Sequence, residues 1–184
     1  MHFKKIVGER IYLSPVSEED VIDYTRWLND VEVARGMGLH AQVIGTFQQR
    51  ERMLKDDESR RSFSIILKDG DKLIGNVNLH DLNFAHRKAT LGIFIGDEDC
   101  RNNGYGAEAI ALILDYGFNW LNLHNIMLQV FAPMDSAIAC YKKAGFKEFG
   151  RRKQSALYDG MWVDDVHMEL LSDDYFARQE GRAT

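Results

Sequence analysis

Arg101-Asn102-Asn103-Gly104-Tyr105-Gly106 is the stretch that decides the fold of this chain. It lies between an apolar run, Leu91-Gly92-Ile93-Phe94-Ile95, and an amphipathic segment from Ala107 to Leu121. This order predicts a strand, a glycine-bearing loop and a helix. Glycines at such a junction let the backbone approach a ligand, and the helix adds the positive end of its dipole. The pattern predicts a pyrophosphate site, although the hexapeptide alone fits an ordinary tight turn equally well.

A second segment follows the next apolar run and contains Met134-Asp135-Ser136-Ala137-Ile138-Ala139-Cys140-Tyr141-Lys142-Lys143-Ala144-Gly145-Phe146. Together, Arg-x-x-Gly-x-Gly, a helix, a strand and Ser-Ala-Ile-x-x-Tyr-x-Lys-x-Gly-Phe resemble the GNAT superfamily of acetyl-CoA-dependent N-acetyltransferases. The segments Glu9–Leu13, Trp27–Asp30 and Tyr158–Asp164 resemble the branch that contains ribosomal-protein N-terminal and spermidine acetyltransferases. The resemblance covers nearly the whole chain, and it is specific for the reaction rather than for the acceptor.

Length and composition favour one globular domain over residues 1–184, large enough to bury a core without disulfides or metal. The net charge of −5 is spread over interleaved acidic and basic residues, which disfavours a nucleic-acid partner and mildly favours a cationic acceptor. Cys100 and Cys140 lack metal-ligand spacing, and no apolar run has the length of a signal peptide or membrane span. We therefore expect a cytoplasmic protein with reduced thiols, no metal and no membrane contact.

Local patterns predict the elements in order. Ser17 is expected to cap a helix through Trp27, and Thr46 with Gln49 a helix at roughly 46–57. Asp69-Gly70-Asp71 joins two strands of a hairpin, and Gly145 ends a helix that starts at Asp135. The remaining segments are strands at Ile11–Leu13, Ser62–Leu67, Lys72–Leu79, Ala89–Ile95, 125–131, about 146–153 and 161–170, and a helix at Gly104–Leu121.

These segments predict an α+β fold: a mixed, mostly antiparallel sheet of about seven strands with helices on both faces. Strands 89–95 and 125–131 flank one helix and are expected to be parallel neighbours joined by a right-handed crossover. The resemblance implies that this central pair splays apart, so that the pantetheine arm of acetyl-CoA binds between the two strands.

The cofactor residues implied by the resemblance lie in three places. Backbone groups of Phe94 and Ile95 would pair with the pantetheine arm and polarise the thioester. The loop would bind the pyrophosphate through Arg101, Asn102, Asn103, Gly104, Tyr105, Gly106 and Ala107. Met134 stands where the family often has asparagine, and methionine can only fill space beside the arm.

Tyr141 occupies the family's tyrosine position and is predicted to assist departure of the thiolate. A thiol ionises near pH ~8.5 and a phenol near ~10, so the hydroxyl is expected mainly to donate a hydrogen bond. The acceptor amine must lose a proton before it attacks, and His80 or Asp81 is the predicted base. Asp30 and Glu32 are the rival candidates. No cysteine nucleophile is expected.

The acceptor pocket is predicted to form between the first helical region, with Trp27, Asp30 and Glu32, and the turn that carries Tyr158 and Trp162. A protein or peptide N-terminus, a polyamine or an amino sugar would fit this mixture of aromatic and acidic residues. The predicted function is direct acetyl transfer from acetyl-CoA to a primary amine in a ternary complex, and a homodimer is possible. The alternative is a non-catalytic acyl-CoA-binding module.

Overall fold

One mixed sheet organises the chain in the computed structural model, which describes residues 1–39, 41–55 and 57–183. Its strands are β1 Ile6–Val7, β2 Ile11–Pro15, β3 Arg61–Leu67, β4 Leu73–Asn83, β5 Lys88–Ile95, β6 Asn125–Phe131, β7 Lys147–Tyr158 and β8 Met161–Leu171. Their spatial order follows the sequence except that β8 lies between β6 and β7. The hairpin predicted around Asp69-Gly70-Asp71 is confirmed, because β3 and β4 pair in antiparallel register.

Helices pack on both faces of this sheet, as predicted. They are α1 Val21–Asn29, α2 Val31–Gly36, α3 Thr46–Leu54, α4 Tyr105–Asp115, α5 Asp135–Ala144 and α6 Ser172–Ala183. Ile110 and Ile113 of α4 join the main core with Val77 of β4, whereas Tyr24 and Trp27 of α1 form a second cluster with Phe94 on the other face. Alternation along β4 and β5 explains this division, since successive side chains point to opposite faces.

The parallel pair of β5 and β6 is short. Lys88, Ala89 and Thr90 pair with Asn125, Ile126 and Met127, and there the register ends. Beyond Thr90, β5 keeps its antiparallel partner β4 up to Ile95, and β6 keeps β8 up to Phe131. The two strands therefore diverge at the centre of the sheet, which confirms the predicted splayed pair.

Several element predictions need correction. The sheet has eight strands rather than about seven because β1 pairs with β2 as a short edge. Gly45 rather than Thr46 is the N-cap residue of α3, and that helix ends at Leu54, whereas position 56 of the predicted helix lies outside the described residues. A 3-10 turn at Glu18–Asp20 precedes α1, and α4 continues as a π-helical turn at Tyr116–Trp120. The helices α2 and α6 were not predicted.

Candidate active site

The glycine loop forms the start of α4. Asn102 and Gly104 adopt left-handed conformations with φ of 60° and 82°, and Glu108 N–H donates to the Gly104 carbonyl at 3.1 Å. The first amides of the helix, from Tyr105 to Ala107, consequently have no intrahelical acceptor. They give this end of the helix a partial positive charge suited to an anion.

A cleft of about 490 Å³ lies beside this helix start, between the end of β5 and α5. Its walls combine most of the predicted cofactor residues with the predicted catalytic tyrosine: Phe94, Ile95, Arg101, Asn102, Gly104, Gly106, Ala107, Met134 and Tyr141. The loop, the splayed strand and α5 therefore meet around a single space.

Arg101 ties the loop to the end of β5. Its Nε donates to the Ile95 carbonyl at 3.2 Å and its Nη2 to the Gly96 carbonyl at 2.9 Å. The guanidinium lines the cleft, but these hydrogen bonds are made to backbone. Its charge can still favour a phosphate, whereas its geometry mainly fixes the path of the loop.

Asn103 and Tyr105 do not line the cleft, in contrast to the other predicted loop residues. The Asn103 amide donates to the Asp99 carbonyl at 2.8 Å, and the Tyr105 ring lies 4.7 Å below the guanidinium carbon of Arg10. Their side chains support the loop from behind, so a cofactor could reach only their backbone groups.

Arg10 is a loop residue that sequence reasoning missed as part of the site. Its Nη1 donates to the Asn103 carbonyl at 2.9 Å and its Nε to Glu108 at 3.0 Å. Burial raises the pKa of Glu108, but hydrogen bonds from the Arg10 and Ile11 amides and from the Arg10 guanidinium outweigh burial and hold this pKa below its usual range. No local signal marks this contact, because the two partners are 98 residues apart.

Tyr141 reaches the cleft from α5. Its ring packs edge-on against Phe146 at 6.1 Å, and burial raises the pKa of its hydroxyl to about 12. The phenol therefore keeps its proton at neutral pH. Against a free thiol near pH ~8.5, complete proton transfer would be uphill by roughly 5 kcal/mol, so the hydroxyl is suited to hydrogen-bond donation.

Met134 and the two cysteines fill the cleft walls. Met134, at the start of α5, packs close to Gly36 of α2. A Cβ added to Gly36 would lie 3.3 Å from the Met134 methyl carbon. Burial and then a hydrogen bond with Asp97 raise the pKa of Cys100 to about 11, and burial raises the pKa of Cys140. Both remain thiols at neutral pH and are weak nucleophiles.

A second, larger cavity of about 760 Å³ opens on the α1 side of β5. Its lining includes Asn76 and Asn78 of β4, Gly92 of β5 and Tyr24 of α1. The cleft and the cavity share three lining residues, Met37, Ile93 and Phe94. The two spaces therefore meet where β5 has lost its parallel partner.

Asn78 carries an unsatisfied acceptor at this meeting point. Its Nδ2 donates to Asn76 Oδ1 at 3.0 Å, and Asn76 Nδ2 donates to Ser62 Oγ and to the Phe63 carbonyl at 3.0 and 2.9 Å. These bonds fix the orientation of both amides. Asn78 Oδ1 is left buried without a partner among the described residues, in a side chain that is 8% exposed. Such a group calls for a ligand or water donor.

His80 and Asp81 both line the cavity, as the predicted base requires. His80 Nδ1 lies 2.8 Å from the Asp81 carboxylate, which orients the ring and leaves Nε2 for another partner. Asp81 sits in the left-handed region with φ of 51°, at the irregularity where the pairing of β4 with β5 shifts. Asp81 is thus better placed to hold His80 than to act as the base itself.

The predicted acceptor residues on the first helices have other positions. Trp27 is 5% exposed, and its ring packs against Phe94 with centroids 6.3 Å apart. The Asp30 carboxylate caps α2 by accepting from the Glu32 and Val33 amides at 3.0 and 3.1 Å. Glu32 lines the narrower cleft rather than the cavity. Packing and helix capping therefore account for the positions of Trp27 and Asp30, and their role in binding the acceptor stays a prediction.

The turn between β7 and β8 lines neither the cleft nor the cavity. Tyr158 packs against Phe131 with ring centroids 5.9 Å apart, and Trp162 is 65% exposed on the hairpin. The turn does contact α2, because Arg35 Nε lies 3.2 Å from Asp159. The two segments named in the sequence prediction are therefore adjacent, but the described cavity lies elsewhere.

The geometry agrees with a family assignment made by sequence comparison. The family described as Acetyltransferase (GNAT) domain matches residues 10–147, which is most of the chain. The chain belongs to the GNAT acetyltransferase family. It is an acetyl-CoA-dependent N-acetyltransferase.

Some relatives of this GNAT acetyltransferase are named for spermidine, and others have names that give no acceptor. The spermidine N(1)-acetyltransferase of Vibrio cholerae is 34% identical over 125 residues, 67% of this chain and 70% of the relative. The uncharacterised N-acetyltransferase YoaA of Bacillus subtilis is 28% identical over 88% of this chain and 93% of its own length. A solved spermidine N-acetyltransferase from Vibrio cholerae, in complex with CoA and spermine, has a TM-score of 0.84 at 25% identity and covers 91% of this chain and 98% of that one.

Among the residues that the structure describes, no helix combines the length and apolar character needed to cross a membrane. Nor do those residues bring together three or more His, Cys, Asp or Glu side chains in a group that could hold a metal ion.

Proposed function

We propose that this GNAT acetyltransferase binds acetyl-CoA and a small primary amine so that they meet at Ile93 and Phe94, where the acetyl group is transferred. The meeting of cleft and cavity at these two residues is the observation that carries the proposal. The helix start at Gly104 would hold the pyrophosphate, and the unpaired edge of β5 would hold the pantetheine arm. The amine would enter through the larger cavity.

The amine requires a group that orients it and a group that removes its proton. Asn78 Oδ1 can accept a hydrogen bond from the amine N–H, because its position leaves it without another donor among the described residues. His80, held by Asp81, would take the proton directly or through one water. The neutral nitrogen would then form a bond to the thioester carbonyl carbon.

The leaving sulfur requires a hydrogen-bond donor on the opposite side. Tyr141 lines the cleft and keeps its phenolic proton at neutral pH. As the C–S bond breaks, its hydroxyl would stabilise the developing thiolate. The base and the donor would thus act from two different spaces, which fits a ternary complex rather than a covalent enzyme intermediate.

The proposed transfer is tested by thiol release from acetyl-CoA, with and without a mixture of primary amines. We expect release that depends on both the protein and an amine, and an acetylated amine in the mass spectrum. Acetyl-CoA binding by calorimetry without any amine-dependent release would instead identify a non-catalytic acyl-CoA-binding module.

Replacing His80 with glutamine is expected to lower kcat/KM at neutral pH about 10- to 100-fold, because one proton acceptor is lost. Asp81→Asn keeps the His80 imidazole and should lower kcat/KM less than His80→Gln does. Acetyl-CoA affinity should stay unchanged in both variants, since neither residue lines the cofactor cleft. Unaltered turnover in His80→Gln would remove His80 as the base.

Three features of the sequence prediction stay predictions: a single N-acetyltransferase domain over residues 1–184, a cytoplasmic location and a homodimer.

A further inference from the structure

The charge of the larger cavity differs from the charge of the whole chain. The net charge is −5, yet the cavity lining contains five basic side chains and only two carboxylates. The basic residues are Lys5, Arg52, Lys55, Arg60 and Arg61, and the carboxylates are Asp57 and Asp81. A cavity with this balance attracts an anion even in an acidic protein.

Both carboxylates in the lining already have partners. Asp57 Oδ1 accepts from the Ser59 amide at 2.9 Å and from the Ser59 hydroxyl at 2.6 Å. Asp81 is held by His80 at 2.8 Å. Among the described residues, neither carboxylate forms a salt bridge with an arginine of the cavity, and Asp57 acts on Arg60 only at longer range.

Arg60 and Arg52 carry positive charge that the carboxylates of the cavity offset only in part. Burial and then the neighbouring positive charge of Arg52 lower the pKa of Arg60, whereas the weaker effect of Asp57 raises it. Within residues 1–39, 41–55 and 57–183, neither guanidinium takes part in a salt bridge. Arg61 differs, because its guanidinium donates to the Glu58 and Arg60 carbonyls at 3.1 and 2.8 Å. Two guanidiniums that repel each other and line one cavity suit a shared anion.

We propose that the acceptor amine also carries a carboxylate or phosphate group, which Arg60 and Arg52 bind while Asn78 holds the amine. This inference rests on the proposed acetyl transfer. Asn78 lies opposite Ser62 in the sheet, and Arg60 is two residues before Ser62, which is at most about 7 Å along the chain. One small molecule can therefore reach both sites.

A polyamine would be repelled by the positive charge of this cavity. Its second ammonium group would lie beside two guanidiniums that have no salt-bridge partner among the described residues, and like charges at close range oppose binding. The chain therefore shares its reaction with the spermidine acetyltransferases that it resembles, but its cavity selects a different class of amine.

Two matched pairs of amines test the proposal, and each pair differs in one anionic group. They are D-glucosamine 6-phosphate with D-glucosamine, and the C-terminal amide of Ala-Glu with the C-terminal amide of Ala-Gln; spermidine is assayed beside them. We expect kcat/KM at least tenfold higher for the anionic member of one pair or both. The pair that shows the preference identifies the anion as phosphate or carboxylate.

Variants connect this preference to the arginines. Arg60→Gln and Arg52→Gln should each raise KM for the anionic amine about tenfold, with little change in kcat or in KM for the partner amine that lacks the anionic group. Lys153→Gln on β7, at the far edge of the sheet, removes a charge of the same sign and should change none of these constants. Unchanged acetyl-CoA affinity establishes that each variant is folded.

The proposal is overturned if the amines without the anionic group, or spermidine, are used as well as the anionic ones, or if the preference survives in both arginine variants. Either result leaves acetyl transfer itself intact. Failure of the proposed function has a different signature, since no amine would then be acetylated by a protein that still binds acetyl-CoA.

Discussion

Replacing Tyr141 with phenylalanine is expected to reduce acetyl transfer by roughly ten- to a thousand-fold, the range for one acid or hydrogen-bond donor. The ring would keep its edge contact with Phe146 and its place in the cleft wall. Only the hydroxyl would be lost, and with it the donor that faces the developing thiolate.

The measurement is kcat and KM for both substrates, with acetyl-CoA affinity by calorimetry. The effect should appear in kcat, while the dissociation constant of acetyl-CoA stays nearly unchanged. Tyr12→Phe is the matched control: it removes a hydroxyl that contacts Asp71 at 3.0 Å, and Tyr12 lines neither cavity. Equal turnover in Tyr141→Phe and the unchanged protein would assign Tyr141 to packing alone.

Gly104→Val is expected to weaken acetyl-CoA binding by about 10- to 100-fold, because strain of ~1–3 kcal/mol falls on the loop that would hold the pyrophosphate. Gly104 has φ of 82°, which a β-branched residue adopts only under strain. A Cβ at this position would also lie 3.3 Å from Arg10 Nη2. The loop would have to move, and its amide groups would move with it.

Gly70→Val is the control for backbone strain. Gly70 has φ of 71°, in the turn between β3 and β4, and a Cβ there would meet no atom within 4 Å. Both variants should lose thermal stability, but only Gly104→Val should raise the dissociation constant of acetyl-CoA. Normal affinity in a folded Gly104→Val protein would move the pyrophosphate away from this loop.

Most of the predicted cofactor residues line one space, whereas the predicted acceptor residues do not share one. The loop, the parallel strands and Tyr141 lie within a short part of the chain, where the order of strand, loop and helix restricts their arrangement. The acceptor cavity instead combines α1, α3, β3, β4 and β5. In the sequence, Arg52 and Arg60 look like members of an ordinary charged surface, and only the fold turns them toward one space.

The missed elements have similar causes. The helix α2 is six residues long and begins directly after Asp30, so the segment is too short to show a helical period. Trp27 resembled a binding aromatic, but Gly96 leaves the room in which its ring is buried: a Cβ on Gly96 would lie 2.0 Å from Trp27 Cδ2. Tertiary packing decided both, and sequence periodicity carries little information about it.

The divergence of β5 from β6 also links protein lifetime to metabolite supply. A strand edge without a partner is a weak point at which a sheet can open or pair with another chain. A ligand that fills this gap binds only the folded protein, and at a hundredfold excess over its dissociation constant it adds about 2.7 kcal/mol to the free energy of unfolding. Acetyl-CoA in excess would thus lower the fraction of this enzyme that is unfolded and open to proteolysis, and depletion of acetyl-CoA would raise that fraction.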